Sequence, residues 1–357
     1  MSSAGPATVA AVEAHDALMG SLMRDGAPTR AVARAWMSTL IAGELSQVRV
    51  AAALTALAMR PPTAEALIGC AEVLRAHARR LPIAPALAAT CLDTCGTGGS
   101  GLRTVNTSTM VAFLLAAAGV PVTKHGNRKS SGHCGSVDVL EALGVRADLT
   151  PEQGAALLAG HGVSVMFAPM HHPAVGAVMP VRRELGFRTI FNLLGPLGNP
   201  AGAGMQLLGV ADALAAPAMA EALAGLGVQR ALVVRGDDGL DELTLTGPTT
   251  AIMVEAGRVV ETTRWDPREV GLSTCSAEAM RGGDATANAL TFEAVLSGVR
   301  RGPHADLVAL NAGAALWLAR RAGDLAEGVV QAQALLANGE GWRRFCAYRD
   351  ASRQVAS

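Results

Sequence analysis

The stretch LDTCGTGGSGLRTVNTST, from Leu92 to Thr109, decides the fold because it joins an apolar run to an apolar helix through a glycine-rich loop. Four of the six residues from Gly96 to Gly101 are glycines. Glycine loses more conformational entropy than any other residue when it is fixed, so such a cluster indicates that another group approaches the backbone closely. The amides of such a loop can converge on an anion, and the next helix adds unpaired N–H donors. On this pattern alone, phosphate binding and a simple chain reversal are about equally favoured.

The spacing of these glycines argues against two common nucleotide-binding motifs. GTGGSG matches neither G-x-x-x-x-G-K-[ST] nor G-x-G-x-x-G, which disfavours a P-loop and a Rossmann dinucleotide site. Thr104, Asn106, Thr107, Ser108 and Thr109 add hydroxyls and an amide where the predicted helix begins. Thr107 or Ser108 could equally be a plain N-cap.

A cationic loop follows the next apolar run. KHGNRKSSGHCGS, from Lys124 to Ser136, combines basic residues with glycines and small hydroxylic residues. In an open α/β sheet, ligands bind outside the carboxyl ends of the strands. Two neighbouring strand ends, one glycine-rich and one cationic, therefore predict a pocket for a highly phosphorylated molecule. A solvated charged loop is the alternative, and it is the commoner role of Lys and Arg in general.

An acidic loop follows a third apolar run, ALVV. RGDDGLDELTLTGPT, from Arg235 to Thr249, carries four acids without the spacing of an EF-hand. Asp241 and Glu242 are adjacent and could hold Mg²⁺, which prefers one or two carboxylates together with substrate phosphates. An exposed acidic turn is favoured roughly two to one by the sequence pattern alone.

The first part of the chain reads as all-α. From about Leu18 to Arg80 the apolar residues recur at helical spacing, whereas residues before Leu18 are expected to fray. Ser46 and Thr63 precede helical segments and are expected to cap them.

The remainder reads as α/β, because strand-like runs alternate with helical ones from about Leu87. This alternation predicts a mostly parallel central sheet flanked by helices, with further helices from about Thr286 to Tyr348. The predicted strands lie in LAATCLDTC, VPVTKHGN, HGVSVMFAP, MQLLGVAD, ALVVRGDDG and AIMVEAGRVVE.

Composition narrows the functional classes. The 357 residues are 50% hydrophobic and carry a formal net charge of zero, which supports a large core and argues against general nucleic-acid or membrane-surface binding. Aromatic residues make up 3% of the chain, so base stacking is not suggested. The six cysteines are scattered without metal-ligand spacing and are expected to be reduced. With neither a leader pattern nor a membrane-length apolar run, a cytoplasmic location is expected.

Six motifs occur together in the order of one enzyme family, at close to its spacing. They are GTGGSG with T.N.ST after it, KHGNR, GSVDVLEALG, FAP…HPA, VRRELGFRTIFNLLGPLGNP and GDDGLDELT. In these motifs the chain resembles the anthranilate phosphoribosyltransferase family, from roughly Leu40 to the C-terminal helices.

The resemblance implies a fold and a reaction. The fold would be nucleoside phosphorylase-like rather than Rossmann, with a small N-terminal α-helical domain of residues 1–85, joined by helices from about 165–188, and a large α/β domain of residues 86–357. The reaction would transfer ribose 5-phosphate from 5-phosphoribosyl 1-pyrophosphate to the amine of anthranilate, releasing pyrophosphate, in tryptophan biosynthesis. Mg²⁺ would be the cofactor, the two substrates would be the partners, and the assembly would be a homodimer without nucleic acid or membrane.

The resemblance also implies roles for individual residues. The donor-binding set would comprise Gly96, Gly99, Ser100, Thr104, Asn106, Thr107, Ser108, Thr109, Lys124, His125, Gly126, Asn127, Arg128, Ser131, Gly132 and Ser136. The acceptor-binding set would comprise Gly96, Asn127, His172 and Arg182, with Pro173 also near the acceptor opening. The Mg²⁺ ligands would be Ser108, Asp241 and Glu242.

The implied chemistry suits these residue types. Departure of pyrophosphate needs cations and N–H donors aimed at the leaving oxygens. An aromatic amine is already unprotonated at neutral pH, so no general base is predicted. Arg182 suits a carboxylate partner, although a surface arginine would look the same in the sequence. For His125 and His172, structural hydrogen bonding is favoured over proton transfer, since no paired nucleophile is present.

The chain departs from the family pattern at several positions. Ser100 stands where the family usually has Asp, which removes a negative charge beside the predicted pyrophosphate site. Lys129 is an added charge, His133 and Cys134 replace Lys and Ser, and Val175 and Gly176 follow HPA in place of the usual residues. The alternatives are a divergent phosphoribosyltransferase for another aromatic amine or acid, a nucleoside phosphorylase, and a non-catalytic nucleic-acid-binding relative.

Overall fold

The computed structural model describes residues 8–24, 26–128 and 134–355. Within them, seven strands form a sheet in the order β3-β2-β1-β4-β5-β6-β7. The strands are β1 Leu92–Gly96, β2 Val122–Gly126, β3 Val163–Phe167, β4 Met205–Gly209, β5 Arg230–Gly236, β6 Thr249–Glu255 and β7 Arg258–Trp265. β1 to β5 are parallel, whereas β6 and β7 are antiparallel. The predicted α/β fold with a mostly parallel sheet is confirmed.

Helices precede the sheet and then flank it. The first four are α1 Val9–Met23, α2 Arg30–Ile41, α3 Gln47–Ala58 and α4 Ala64–Ala76. Helix α5 Pro85–Thr90 leads into β1, and those between strands are α6 Thr107–Ala117, α7 Ser136–Ala142, α8 Pro151–His161, α9 Ala168–His171, α10 Met179–Leu185, α11 Phe191–Leu197 and α12 Ala215–Gly225. The last four are α13 Ala285–Leu296, α14 Pro303–Leu318, α15 Leu325–Ala337 and α16 Glu340–Gln354, and three short 3₁₀ helices span Pro173–Val178, Pro267–Val270 and Ala277–Met280.

The predicted N-caps of two early helices are confirmed. The Ser46 hydroxyl accepts from the Arg49 N–H at the start of α3, and the Thr63 hydroxyl accepts from the Ala66 N–H at the start of α4. Each hydroxyl satisfies one of the four N–H groups that a helix leaves unpaired at its first turn.

The two faces of the sheet have separate cores. On one face, Phe113 of α6 packs edge-on against Phe345 and Tyr348 of α16, with ring centroids 5.1 and 5.5 Å apart. The core on the other face combines α12 with α1 to α4, α10 and α11. Helix α10 and the 3₁₀ helix Pro173–Val178 thus pack with α3 and α2, far from their neighbours in sequence. None of the described helices has both the length and the apolar character needed to cross a bilayer.

Three local predictions are wrong. Residues 8–17 do not fray, because α1 begins at Val9 with a Thr8 cap and buries Ala11 completely, and residues 1–7 lie outside the described residues. The residues from Leu87 to Thr90 belong to α5 rather than to a strand, because Pro85 occupies the first turn, where a missing N–H costs nothing.

The third wrong prediction is the single strand in AIMVEAGRVVE, which is the hairpin of β6 and β7. Ala256 and Gly257 connect the two strands with φ values of 50° and 76°. Two consecutive positive φ angles are typical of the tight turn that matches the twist of a hairpin. Ala at the first position concealed this turn in the sequence.

Candidate active site

The site lies where the order of the strands reverses. From β1 the chain proceeds through β2 to β3 on one side, whereas β4 pairs with the other side of β1 and leads on to β5. In an open α/β sheet this reversal leaves a crevice at the carboxyl ends of the strands, which is where ligands bind. The glycine loop follows β1, and the acidic loop follows β5.

The glycine loop closes on the acidic loop through close backbone contacts. The Gly98 N–H donates to Oδ2 of Asp241 at 2.7 Å. A Cβ atom on Gly96 would lie 2.4 Å from the same oxygen, and a Cβ on Gly209 would lie 1.6 Å from the Asp241 carbonyl oxygen. Glycine at these two strand ends therefore makes room for Asp241, which is the close approach that the sequence pattern indicated.

The loop itself is held by backbone bonds. The Thr97 N–H donates to the Gly209 carbonyl at 2.9 Å, and the Thr97 hydroxyl accepts from the Ala211 N–H at 3.2 Å. Gly98 and Gly99 have φ values of 65° and 89°, a region that favours glycine. The Ser100 hydroxyl donates to the Leu102 carbonyl at 3.2 Å. Sequence position alone did not reveal these anchors.

Neither Thr107 nor Ser108 caps α6. Asn106 holds the N-cap position, and its side chain makes no capping bond. The Thr107 hydroxyl donates to the Val105 carbonyl at 3.3 Å, and the Thr109 hydroxyl is buried without a hydrogen-bond partner among the described residues. The first turn of α6 therefore keeps N–H donors that no side chain at its cap satisfies.

The four acids of the acidic loop divide into two pairs. Asp237 forms an ion pair with Arg264, and Oδ2 of Asp238 accepts from the hydroxyls of Thr244 and Thr246, each at 2.7 Å. These bonds shape the loop itself. Asp241 and Glu242 instead face the glycine loop, where they contact Gly98 and Thr104. Both residues are half-buried, so the alternative of an exposed acidic turn is wrong for them.

The electrostatics of this carboxylate pair favour a cation. Burial raises the pKa of Asp241, against hydrogen bonds from the Gly98 N–H and Ser100 and the charge of Arg188. Burial and the neighbouring Asp241 raise the pKa of Glu242 to about 8, opposed by Thr107 and by the Lys124 charge. Two carboxylates that resist ionisation together would be stabilised by a divalent cation between them.

The protein supplies few ligands for such a cation. Thr104 lies beside Glu242, with its hydroxyl 3.4 Å from Oε2. Among the described residues, no group of three or more His, Cys, Asp or Glu could hold a metal ion. A carboxylate pair fits Mg²⁺, which is commonly bound by one or two carboxylates and by substrate phosphates rather than by a full protein cage.

A buried ammonium lies behind the glycine loop. Lys124 on β2 is 2% exposed, and its Nζ donates to the Thr94 carbonyl and to Oγ of Ser108 at 3.1 Å. Burial lowers the pKa of Lys124, and the charges of Asp93 and Glu242 oppose that shift. The Ser108 carbonyl in turn accepts from the Thr94 hydroxyl at 2.8 Å, so β1, β2 and α6 are joined at this point.

Asn106 is held by two residues that sequence reasoning did not connect to it. Its Oδ1 accepts from Nδ2 of Asn288 at 3.0 Å and from Sγ of Cys134 at 3.4 Å, and its Nδ2 donates to the Cys134 carbonyl at 3.3 Å. Asn288 lies on α13, 182 residues away in sequence. The backbone bridge between Thr104 and Arg281 brings the same distant segment against the glycine loop.

The KHGNR loop has internal contacts of its own. A Cβ on Gly126 would lie 2.5 Å from Oγ of Ser136, whose hydroxyl donates to the Asn127 carbonyl at 3.4 Å. Arg128 forms a two-point ion pair with Glu141 and lies 4.3 Å from the ring centre of Phe167. Ser131, Gly132 and His133 lie outside the described residues.

Two histidines of the predicted donor and acceptor sets, His125 and His172, face each other. The rings of His125 and His172 lie 5.3 Å apart, and each ring donates to one backbone carbonyl, Nδ1 of His125 to Gly195 at 3.1 Å and Nε2 of His172 to Gly198 at 2.9 Å. Burial, reinforced by the neighbouring His172, lowers the pKa of His125 to about 3, and burial also lowers the pKa of His172. Both rings are therefore neutral at pH 7. Pro173 begins the 3₁₀ helix that follows His172.

Arg182 lies against an aromatic ring rather than against a carboxylate. Its guanidinium lies 5.0 Å from the ring centre of Phe191, and Nη1 approaches the Met179 sulfur at 3.5 Å. None of the ion pairs within the described residues includes Arg182. Burial lowers its pKa, as expected for a cation without a carboxylate neighbour.

Two further buried residues support the site. Asp93 on β1 accepts from the His125 N–H at 3.2 Å and from Nδ2 of Asn199 at 2.8 Å. Burial raises the pKa of Asp93, while the Lys124 charge and these bonds oppose the shift. In the sequence, the only indication of this buried acid was its position as a charged residue inside the apolar run LAATCLDTC.

A cavity of about 740 Å³ lies at the opposite end of the sheet and does not coincide with this site. It is bordered by the starts of β2, β4 and β5. Its arginines already have partners, since Arg230 and Arg320 pair with Glu255, and Arg321 donates to the Gly119 carbonyl. The strand-end crevice is therefore the candidate active site.

Two family models match consecutive parts of the chain. Residues 17–78 match the Glycosyl transferase family, helical bundle domain, and residues 88–342 match the Glycosyl transferase family, a/b domain. The fold and the site together define a glycosyl transferase of this two-part class.

Similar proteins narrow the class. The anthranilate phosphoribosyltransferase of Methylobacterium radiotolerans is 48% identical over 304 residues, covering 85% of this chain and 86% of that protein. The anthranilate phosphoribosyltransferase of Rubrobacter xylanophilus is 44% identical over 340 residues, covering 95% and 96%. The chain belongs to the anthranilate phosphoribosyltransferase family.

Solved structures of similar fold lead to the same family. The Thermus thermophilus anthranilate phosphoribosyltransferase superposes with a TM-score of 0.87 at 41% identity, covering 95% of this chain and 99% of that one. The Saccharomyces cerevisiae enzyme in complex with PRPP and Mg superposes with a TM-score of 0.86 at 25% identity, covering 96% and 98%.

Proposed function

We propose that the protein transfers the phosphoribosyl group of 5-phosphoribosyl 1-pyrophosphate (PRPP) to the amine of anthranilate and releases pyrophosphate, in tryptophan biosynthesis. One observation carries the proposal: the Asp241–Glu242 pair faces the glycine loop at the strand-order reversal, with Gly98 bonded directly to Asp241. A loop of bare amides beside two carboxylates is suited to a diphosphate that binds together with a divalent cation.

The donor side would stabilise the leaving group. As the bond to pyrophosphate breaks, positive charge develops on the ribose and negative charge on the leaving oxygens. Amides of the glycine loop and of the first turn of α6 would donate to those oxygens, and Lys124 would add a fixed positive charge behind Ser108. Because these groups are already held in place, they need little reorganisation during the reaction.

Asp241, Glu242 and Ser108 would hold Mg²⁺ at the diphosphate. The raised pKa of Glu242 supports this assignment, because a cation would relieve the repulsion between the two acids. When bound, Mg²⁺ would neutralise charge on the leaving diphosphate. The yeast relative was solved with PRPP and Mg.

The remaining donor assignments stay predictions. Thr104, Thr107, Thr109, Asn106 and the KHGNR loop would contact phosphates and ribose. To contact a phosphate, Arg128 would either release Glu141 or bind the phosphate while its ion pair with Glu141 remains intact.

The acceptor side would bind anthranilate through its carboxylate. Arg182 is a planar cation stacked on Phe191 and without an ion-pair partner among the described residues, so a ligand carboxylate would complete it. Asn127, His172 and Gly96 would border the aromatic ring. Because His125 and His172 are neutral, the acceptor amine would approach without a neighbouring imidazolium, and its own lone pair would attack without a strong base.

We also propose a homodimer formed through the small helical domain, which would comprise residues 1–85 and the helices of residues 165–188. Val9 and Met23 on α1, and Val48 with Met59 along α3, have exposed apolar side chains, each at least 75% exposed. Exposed apolar side chains on two packed helices support a protein–protein contact there. The cytoplasmic location remains a prediction from the sequence.

The direct test follows anthranilate fluorescence as the purified protein reacts with PRPP and Mg²⁺. We expect product formation with anthranilate above a panel of other aromatic amines. Asp241→Asn should lower kcat/KM on the order of 100-fold and raise the Mg²⁺ concentration for half-maximal rate, because one metal ligand loses its charge.

Asp237→Asn is the matched control, because Asp237 lies in the same loop but pairs with Arg264. It should leave the Mg²⁺ titration unchanged. An unchanged titration for Asp241→Asn would contradict the metal assignment, and a lack of turnover by the wild-type protein would contradict the proposed function.

A further inference from the structure

Arg188 lies directly over the glycine loop, although no motif assigned it a role. Its Nη2 donates to the Thr97 carbonyl at 3.0 Å. A Cβ atom on Gly99 would lie 1.9 Å from Nη1 and 2.4 Å from Cζ, so the guanidinium covers the face of Gly99. Gly99 is therefore required by a side chain as well as by its φ of 89°.

The backbone around Arg188 turns sharply between α10 and α11 and is fixed by hydrogen bonds. Helix α10 is capped by Gly186, whose φ is 68° and whose N–H donates to the Arg182 carbonyl. The Thr189 N–H donates to Oδ1 of Asn192 at 3.0 Å, which fixes the approach to α11. This corner connects the helix that carries Arg182 to the sheet side of the site.

The charge of Arg188 is only partly compensated. Asp241 and Asp212 are the carboxylates that raise its pKa, while burial has the larger, opposite effect. None of the ion pairs between described residues includes Arg188, and no hydrogen bond between described residues uses its Nε or Nη1.

The glycine loop offers no acidic partner of its own. From Gly96 to Thr109 the sequence contains no Asp or Glu, and Ser100 stands where the family usually has Asp. A guanidinium that bonds through one nitrogen retains donors for a second acceptor, and its planar fork matches two phosphate oxygens.

We propose that Arg188 is a donor-binding residue whose guanidinium contacts the diphosphate of PRPP while it remains bonded to the Thr97 carbonyl. The inference rests on the proposed function and extends its donor site by one cation. Arg188 thereby holds the glycine loop through the Thr97 carbonyl and adds a second positive charge to that of Lys124, which lies on β2.

The experiment compares Arg188→Gln and Arg188→Lys with the wild type. We measure KM for PRPP and for anthranilate, and the binding of inorganic pyrophosphate with Mg²⁺ by calorimetry. Arg188→Gln should raise KM for PRPP and weaken pyrophosphate binding by about tenfold or more, because a charge-assisted hydrogen bond is lost. KM for anthranilate should change less than about twofold. Arg188→Lys should recover part of the loss, because it retains the charge but not the fork.

The matched control is Arg183→Gln, which removes an exposed guanidinium from α10, five positions earlier along the chain. It should leave pyrophosphate binding unchanged. A purely structural role predicts instead that Arg188→Gln raises both KM values together, lowers Tm, and is not rescued by Lys. That result, or unchanged pyrophosphate binding, would overturn the inference.

The proposed function and the role of Arg188 fail on different outcomes. If the wild type does not turn over PRPP with anthranilate, the proposed function fails. If the wild type is active and Arg188→Gln binds pyrophosphate equally well, only the role of Arg188 fails. Should Arg188→Gln not fold, Arg188→Lys alone tests the proposal, because it should weaken pyrophosphate binding while keeping Tm.

Discussion

The residues proposed to bind the donor and those proposed to bind the acceptor are held in different ways. On the donor side, Lys124 is buried and bonded to Thr94 and Ser108, and Asp241 is bonded to Gly98. On the acceptor side, Arg182 stacks on Phe191 and has no ion-pair partner among the described residues. Lys124 and Asp241 therefore have hydrogen-bond partners within the protein, although the Asp241–Glu242 pair still favours a cation, whereas Arg182 is proposed to be balanced by a ligand carboxylate.

This difference separates the residues expected to affect folding stability from those expected to affect only ligand binding. Buried charges that balance one another are part of the fold, so removal of one leaves the other uncompensated. A half-buried cation without a partner contributes little to the fold, so its removal should affect ligand binding alone. Substitutions at Lys124, Arg182 and His171 test this contrast, in decreasing order of expected effect.

Lys124→Met should destabilise the protein on the order of 3 kcal/mol, because Asp93 remains buried without its compensating charge. Urea unfolding of the variant against the wild type measures the loss. The double variant Lys124→Met with Asp93→Asn should regain part of it, since the uncompensated charge is then removed. Additive losses in the double variant would show that the two charges are not coupled.

Arg182→Ala should raise KM for anthranilate by about 10- to 100-fold, because it removes a charged hydrogen-bond partner of the carboxylate. KM for PRPP and the unfolding midpoint should stay close to the wild-type values. Steady-state kinetics with each substrate varied in turn measures both constants, and Arg183→Ala serves as the control. Equal increases in both KM values would break the contrast between the two sides.

The smallest expected effect concerns His171, which is buried and bonded through Nδ1 to the Arg79 carbonyl at 2.7 Å. Burial lowers its pKa below the ordinary value of 6.5. The unfolded chain therefore takes up the proton first, so the stability contribution is present above pH 6.5 and is lost as the pH falls below it.

His171→Gln should flatten the fall in stability as the pH drops below 6.5, as measured by urea unfolding at several pH values. The control is His77→Gln, which changes an exposed histidine at the end of α4. If both variants keep the wild-type slope, His171 does not contribute to the acid sensitivity.

Local sequence patterns predicted the elements that local chemistry controls. The caps at Ser46 and Thr63, the parallel strands and the glycine loop after β1 all depend on residues close together in the chain. The hairpin was missed because Ala256 is an uncommon residue at a position with positive φ, and α5 was missed because its apolar run also suits a strand.

Partners distant in sequence could not be predicted in the same way. Nothing near Asn106 indicates that Asn288 would hold its amide, and nothing near Gly99 indicates that Arg188 would cover it. The roles of individual site residues that the family resemblance implied remain predictions until ligands are bound.

By itself, the sequence determined the class of fold, the glycine loop at a strand end, and the presence of an acidic pair, because periodicity, turn chemistry and motif order are written along the chain. Only the tertiary structure decided which two of the four acids face the loop, and that Arg182 and Arg188 make no ion pair among the described residues. The physical reason is that charge and hydrogen bonding are balanced between neighbours in space. Those neighbours come from distant segments, as Asn106 and Asn288 do, which are 182 residues apart.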